Sequence, residues 1–379
     1  MSHAYIASQR DELLALARVL VECESPSLDK VRCDALADRL ATYLAPLGKL
    51  ERVANPTGGD HLCLRVPAPY APAEARPALL LCHYDTVWPA GVLAARPVRV
   101  EGNTIFGPGI YDMKASIAMV TVALRAVQAL QLQLPRPINV LITSDEEIGS
   151  PTSRELIEAE ARHAAHVLVL EPPVEQGHLL KTARKGVGLF KLAITGRAAH
   201  AGVEPEKGVN ALIELAHQML AISQLADASQ GTSVSVSFAQ GGSNSFNVIP
   251  ATAHCVADVR VWSRAEAERL EAAFASLQPV LPGATLSVSG GFNRPPMEAI
   301  PVSRELYARV QALGAELGLT LGEGATGGAS DGNFTAVLGI ATLDGLGAPG
   351  QGAHALHEQI DLAATVERTE LLLALLSRL

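Results

Sequence analysis

The chain has 379 residues, of which 48% are hydrophobic and only 4% aromatic, and it carries a formal net charge of -9. That length allows two or three domains around a core built mainly from Ala, Leu and Val. The acidic balance offers no basic excess to release counterions from a nucleic acid, so an anionic small molecule would have to be met by a few locally placed arginines.

The opening "MSHAYIASQRDELLALARVLVECES" has acidic residues breaking its hydrophobic stripe. It reads as an amphipathic helix, and neither a signal peptide nor a membrane span is expected. Helical spacing recurs over Leu13–Val21 and Ala35–Leu44. "ALLLCHYD" reads as a buried strand and "MKASIAMVTVALRAVQAL" as a long helix. The strand "INVLITSDEE" follows, then a helix opened by "SPTSRELIEAEA" with Ser and Thr as N-caps, then the strand "HVLVLEPP". Strands separated by helices predict an α/β domain with a mostly parallel sheet covered on both faces.

Near Ala183 the texture changes. "KGVGLFKLAITG", a helix, the alternating strands "TSVSVSFAQ" and "ATAHCVADVRVW", a second helix and "ATLSVSG" give the order β-α-β-β-α-β, that of a split βαβ, ferredoxin-like α+β unit. Near Phe292 helix and strand alternation returns. The expected organisation is a catalytic domain in two parts, 1–182 and 292–379, around an inserted unit at 183–291. In "TSVSVSFAQ", Val234, Val236 and Phe238 are expected on one face and the serines on the other, as on an edge strand. The five cysteines, Cys23, Cys33, Cys63, Cys82 and Cys255, form no C-x-x-C. Neither a disulfide framework nor a thiolate metal site is indicated, and a reducing, cytoplasmic setting is expected.

His83 and Asp85 end one apolar strand, Glu146 and Glu147 follow another, and Glu171 follows a third. Asp112 lies between a glycine-rich turn and a helix, and His354 lies in the loop "GQGAHALHEQI". In an open α/β sheet the carboxyl ends of strands share one crevice, where two imidazoles and several carboxylates suit a divalent metal, zinc first and cobalt or manganese as substitutes. Asp85 makes sense as the acceptor for the second ring N–H of His83. For both Glu146 and Glu147 to enter one site, the backbone must be leaving its strand there.

The ordered segments "CHYDTVWPAG", "YDMKAS", "DEEIGS", "LEPP", "ITGRAAHAG", "NVIPATAHCVADVR", "TGGASDGN" and "GAHALHEQI" resemble the M20 family of dizinc metallopeptidases over essentially the whole chain, its glutamate carboxypeptidase branch in particular. The resemblance implies two Zn²⁺ bridged by Asp112, with His83 and Glu171 completing one site and Glu147 and His354 the other. It further implies that Glu146 is the general base and that His200 reaches the neighbouring subunit of a homodimer to hold the oxyanion. Asn247, Arg260 and Arg294 match its substrate-binding residues, and Lys181 and Lys185 are both candidates for contact with a substrate side chain. His357 reads as an exposed residue or as one that supports the ligands from behind, rather than as a ligand itself. The activity implied is hydrolysis of an amide beside a free carboxylate in an N-acyl amino acid or short peptide, releasing an amino acid such as glutamate. "TGGASDGNF" is equally similar to succinyl-diaminopimelate desuccinylases, and an N-acyl-amino-acid deacylase or a non-catalytic binding protein on the same scaffold are the other readings. No G-x-G-x-x-G opens a helix after a strand, which disfavours a nucleotide enzyme.

Overall fold

Every residue of Ala78–His83 is buried, and alternation along this strand divides its side chains between two apolar layers. Leu80 and Cys82 pack with the helices Arg10–Glu22, Ala115–Ala129 and Leu362–Arg378. Leu79 and Leu81 pack with Ile157 and Ala161 of the helix Arg154–His163 and with Phe334. Covered on both sides, the strand needs the continuous apolar run seen in its sequence.

The computed structural model describes residues 2–379, with side chains from His3 onward. The chain divides into two compact units. The first comprises Met1–Thr182, Ala299–Thr326 and Ser330–Leu379, and the second Ala183–Glu298 with Gly327–Ala329. The first unit is α/β. Its six-stranded sheet runs, in spatial order, Lys49–Val53, His61–Val66, Ile138–Thr143, Ala78–His83, His166–Val169 and Thr342–Leu343. The last four pair in parallel, whereas the first two join antiparallel. Three adjacent parallel strands, those ending near His83, Thr143 and Val169, thus deliver their carboxyl ends side by side.

The second unit has the element order β-α-β-β-α-β, with antiparallel neighbours in the order Ser233–Gly241, Thr252–Val261, Gly186–Thr195 and Thr285–Arg294. Its helices, Ala211–Ser223 and Arg264–Ala275, contribute Leu215, Ile222, Leu270 and Phe274 to a separate core.

Three expectations change. The return to the first unit is later than Phe292, because the strand Thr285–Arg294 carries the chain past it and Met297 exchanges two backbone hydrogen bonds, both 3.0 Å, with Arg184. A bulge at Ser237 shifts the register between Val236 and Phe238. Phe238 therefore leaves the face of Val234 and Val236 and lies beside His254, ring centres 5.4 Å apart. Ser153 precedes the helix Arg154–His163 without capping it, since its hydroxyl donates instead to Asp145 at 2.5 Å. No helix among the described residues is long and apolar enough to cross a membrane.

Candidate metal centre

His83 closes its strand with only 1% of its surface exposed. Its Nδ1 lies 3.1 Å from the carbonyl oxygen of Asp85 and 3.4 Å from the Asp85 carboxylate, so Nε2 is turned toward the crevice. There it lies 3.1 Å from Oδ1 of Asp112 and 3.3 Å from Oε1 of Glu171. The other oxygen of Asp112 faces His354, whose Nε2 is 3.3 Å from Oδ2 and 3.1 Å from Oε2 of Glu147. One carboxylate thus stands between two imidazoles, and each imidazole meets a second carboxylate.

Local backbone explains these positions. Asp112 sits in the turn Ile110–Lys114 before the long helix, at φ -115° and ψ 93°, followed by a cis peptide bond to Met113. Glu146–Ile148 form a 3₁₀ turn, so the chain has left its strand where the paired glutamates lie. Asp85, fully buried, anchors that turn by accepting the backbone N–H groups of Glu146 at 3.3 Å and Glu147 at 3.2 Å, together with the Ser27 hydroxyl at 2.7 Å. His354 holds a left-handed φ of 61°, uncommon outside glycine.

The donors suit divalent cations. Oε1 of Glu147 is buried and has no hydrogen-bond partner, which is costly unless something else meets it. In the metal-free chain, protons on the histidines offset the carboxylates: hydrogen bonds to Asp112 and Glu147 push His354 up to about 11. His83 is raised well above its ordinary value although burial opposes this, because Asp112, Asp85 and Glu171 accept from it. Burial pushes Glu147 up to about 7. Burial also works against ionisation of Asp112, yet hydrogen bonds from His354 and His83 hold it well below the usual carboxylate range. A cation exchanging with these protons is the ordinary behaviour of an imidazole–carboxylate site. Two donor groups are close enough to share an ion: His83 with Asp112 and Glu147, and His83 with Glu146 and Glu171, in each case within 4.8 Å of one another. The second places Glu146 at the edge of the cluster.

Of the other sequence candidates, His200, Asn247, Arg260, Arg294 and Lys185 lie in the second unit, and Lys181 and His357 in the first. His200 and Asn247 are exposed neighbours, 3.4 Å apart. Gly202 N–H donates to Nδ1 of His200 at 3.1 Å, which leaves the proton of the neutral ring on Nε2. Arg260 forks onto Asp258 with two contacts of 2.8 Å, so its guanidinium already has a carboxylate partner. Arg294, at the end of the strand Thr285–Arg294, is 5% exposed. Lys185 donates to the carbonyl of Gly231 and lies over the ring of Trp262, whereas Lys181 is buried in the first unit. His357 is exposed. Sequence reasoning missed Glu358, a buried carboxylate that binds the backbone beside Asp112. The one available signal was its place in the same loop as His354.

Three carboxylates and two imidazoles converge from the strand ends and from the Asp112 turn and His354 loop, and together with the family match this makes the chain a metal-dependent hydrolase. The sequence profile of peptidase family M20/M25/M40 matches residues 79–378, and the chain belongs to that family. It is 37% identical over 297 residues to carboxypeptidase G2 of Pseudomonas sp. (strain RS-16), covering 76% of this chain and 71% of the relative. It is 28% identical over 379 residues to a succinyl-diaminopimelate desuccinylase of Verminephrobacter eiseniae, covering 92% and 91%. The aminopeptidase PepT of Bacillus cereus shares the fold, with a TM-score of 0.77 at 21% identity over 97% of this chain and 98% of that one.

Proposed function

We propose that this metallohydrolase cleaves an amide bond beside a free carboxylate and releases an amino acid such as glutamate from an N-acyl or short peptidyl substrate. The observation that carries the reading is the division of Asp112 between His83 and His354, each backed by its own glutamate. His83, Asp112 and Glu171 would hold one Zn²⁺, and Asp112, Glu147 and His354 the other. Cobalt or manganese would be accepted by the same donors. A pair of divalent ions lowers the pKa of water and polarises a carbonyl.

Glu146 takes a proton from the attacking water and delivers it to the amide nitrogen as the C–N bond breaks, so acid and amine leave without a second base. Asp85 holds His83 and the Glu146–Glu147 turn in register for this transfer. The second unit, read as a ferredoxin-like homodimerisation domain, supplies His200 to the partner protomer's site, where Nε2–H donates to the carbonyl oxygen as it gains charge. Asn247 and Arg260 are assigned to substrate binding, and Arg294 to the substrate carboxylate. The unpaired state of all five cysteines suits a cytoplasmic enzyme.

The identity to carboxypeptidase G2 supports release of a C-terminal amino acid, and the nearly full-length match to a desuccinylase supports a second reading in which the acyl group is succinyl. Zinc-loaded protein offered N-acyl glutamates, dipeptides and N-succinyl-diaminopimelate separates them. Turnover of the last alone would replace the first reading with the second. No turnover of any amide would favour a binding role.

A further inference from the structure

Glu358 has no exposed surface, and both its oxygens are filled from one side of the metal centre. Oε1 accepts the backbone N–H groups of Tyr111 at 3.0 Å and Asp112 at 3.2 Å. Oε2 accepts Gly109 N–H at 2.7 Å and the indole N–H of Trp88 at 2.8 Å. The backbone of Glu358 is itself tied in, its carbonyl accepting Gly107 N–H at 3.3 Å and its N–H donating to Ala355 at 3.0 Å. Gly109 has a left-handed φ of 75°, so the turn before Asp112 exposes several N–H groups together and needs an acceptor. A single carboxylate therefore joins the turn that presents Asp112, the loop that presents His354, and the segment after His83 and Asp85.

We propose that Glu358 is a positioning residue of the metal centre, fixing the Asp112 turn against the His354 loop before any cation arrives. It touches neither metal nor substrate and acts through the two donors it sets in place. The inference rests on reading His83, Asp112, Glu147, Glu171 and His354 as metal ligands. Glutamine is the informative replacement. It keeps size and shape, but whichever way its amide is turned, the NH₂ group faces two N–H donors and pairs with neither.

The test is Zn²⁺ affinity by competition with a chromophoric chelator, on folded full-length wild type, Glu358→Gln and Trp88→Phe, with thermal unfolding of the metal-free proteins alongside. Glu358→Gln should raise the Zn²⁺ midpoint by about 10–100-fold, the range known for residues that orient metal ligands. Saturating Zn²⁺ should then restore most of kcat with KM unchanged. Trp88→Phe, which removes one of the four donors, should shift the midpoint in the same direction by less, and it serves if the glutamine variant does not fold. A purely structural role would lower the unfolding temperature and leave the midpoint alone. Tight Zn²⁺ in wild type with unshifted midpoints in the variants overturns this inference only, whereas a wild type that takes up no Zn²⁺ overturns the metal reading and this inference with it.

Discussion

Oδ2 of Asp85 accepts the backbone N–H of Glu147 at 3.2 Å, while its other oxygen lies 3.4 Å from Nδ1 of His83. One buried carboxylate thus aligns two donors that are far apart in sequence. Asp85→Ala strands the N–H groups of Glu146 and Glu147, at about 1–3 kcal/mol for each unmet buried group, and leaves Nδ1 of His83 with the backbone carbonyl of residue 85 alone. The variant should bind metal about 10–100-fold more weakly and unfold at lower temperature. Zinc titration with thermal denaturation checks this, and wild-type affinity would remove Asp85 from the site.

Glu146→Gln should keep its metals yet lose about 10²–10⁴-fold in turnover, because the amide cannot accept the attacking water's proton. The carboxylate of Glu146 is within 4.8 Å of ligand atoms of His83 and Glu171. Elemental analysis must therefore accompany the kinetics, since loss of metal would make Glu146 a ligand rather than a base.

Asp112→Ala should empty both metal positions together. Its two oxygens face His83 at 3.1 Å and His354 at 3.3 Å, one toward each imidazole. A variant that retained one tightly held ion per chain would refute the shared-carboxylate arrangement.

His166 begins its strand, at the opposite end from the donors. Burial, helped by Arg136 and Arg309, lowers its pKa to about 4. The folded chain therefore binds fewer protons there than the unfolded chain between about pH 6.5 and 4. Stability from this group is complete above pH 6.5 and is lost as the pH falls toward 4, by up to about 3 kcal/mol. His166→Phe, neutral at every pH, should flatten that part of the stability curve in denaturant titrations. An unchanged slope between pH 7 and 5 would show that the ring does not contribute.

His200→Ala and Glu146→Gln homodimers should each be nearly inactive, and subunit exchange between them should restore activity. On the proposed homodimer, with His200 acting in trans, each mixed dimer would have one site with an intact Glu146 that receives His200 from its partner. With independent sites and random exchange, recovery approaches about a quarter of wild type. Verified exchange without recovery would confine His200 to its own chain or remove it from catalysis.

The strand ends were legible because a dry apolar run such as Ala78–Cys82 has few reasons to finish in His83 and Asp85, and the repetition at Glu146 and Glu171 removes coincidence. Glu358 was not legible. A glutamate in a loop looks like any solvated acid, and its partners are backbone N–H groups at Gly109, Tyr111 and Asp112 that carry no side-chain signature. The bulge at Ser237 was hidden for a related reason, since no glycine or proline marks it and strict alternation continues through the sequence while the register slips. The pairing of Arg260 with Asp258 was not legible either, because it depends on two residues of one strand face that a motif does not weigh.

The second unit lies in the chain between Glu171 and His354. His83, Asp112, Glu147 and Glu171 are therefore all synthesised before it, and His354 only after it. The strand Thr342–Leu343 and the helix Leu362–Arg378 belong to the first unit as well, so neither its core nor its set of donors is complete until the last segment of the chain has been made.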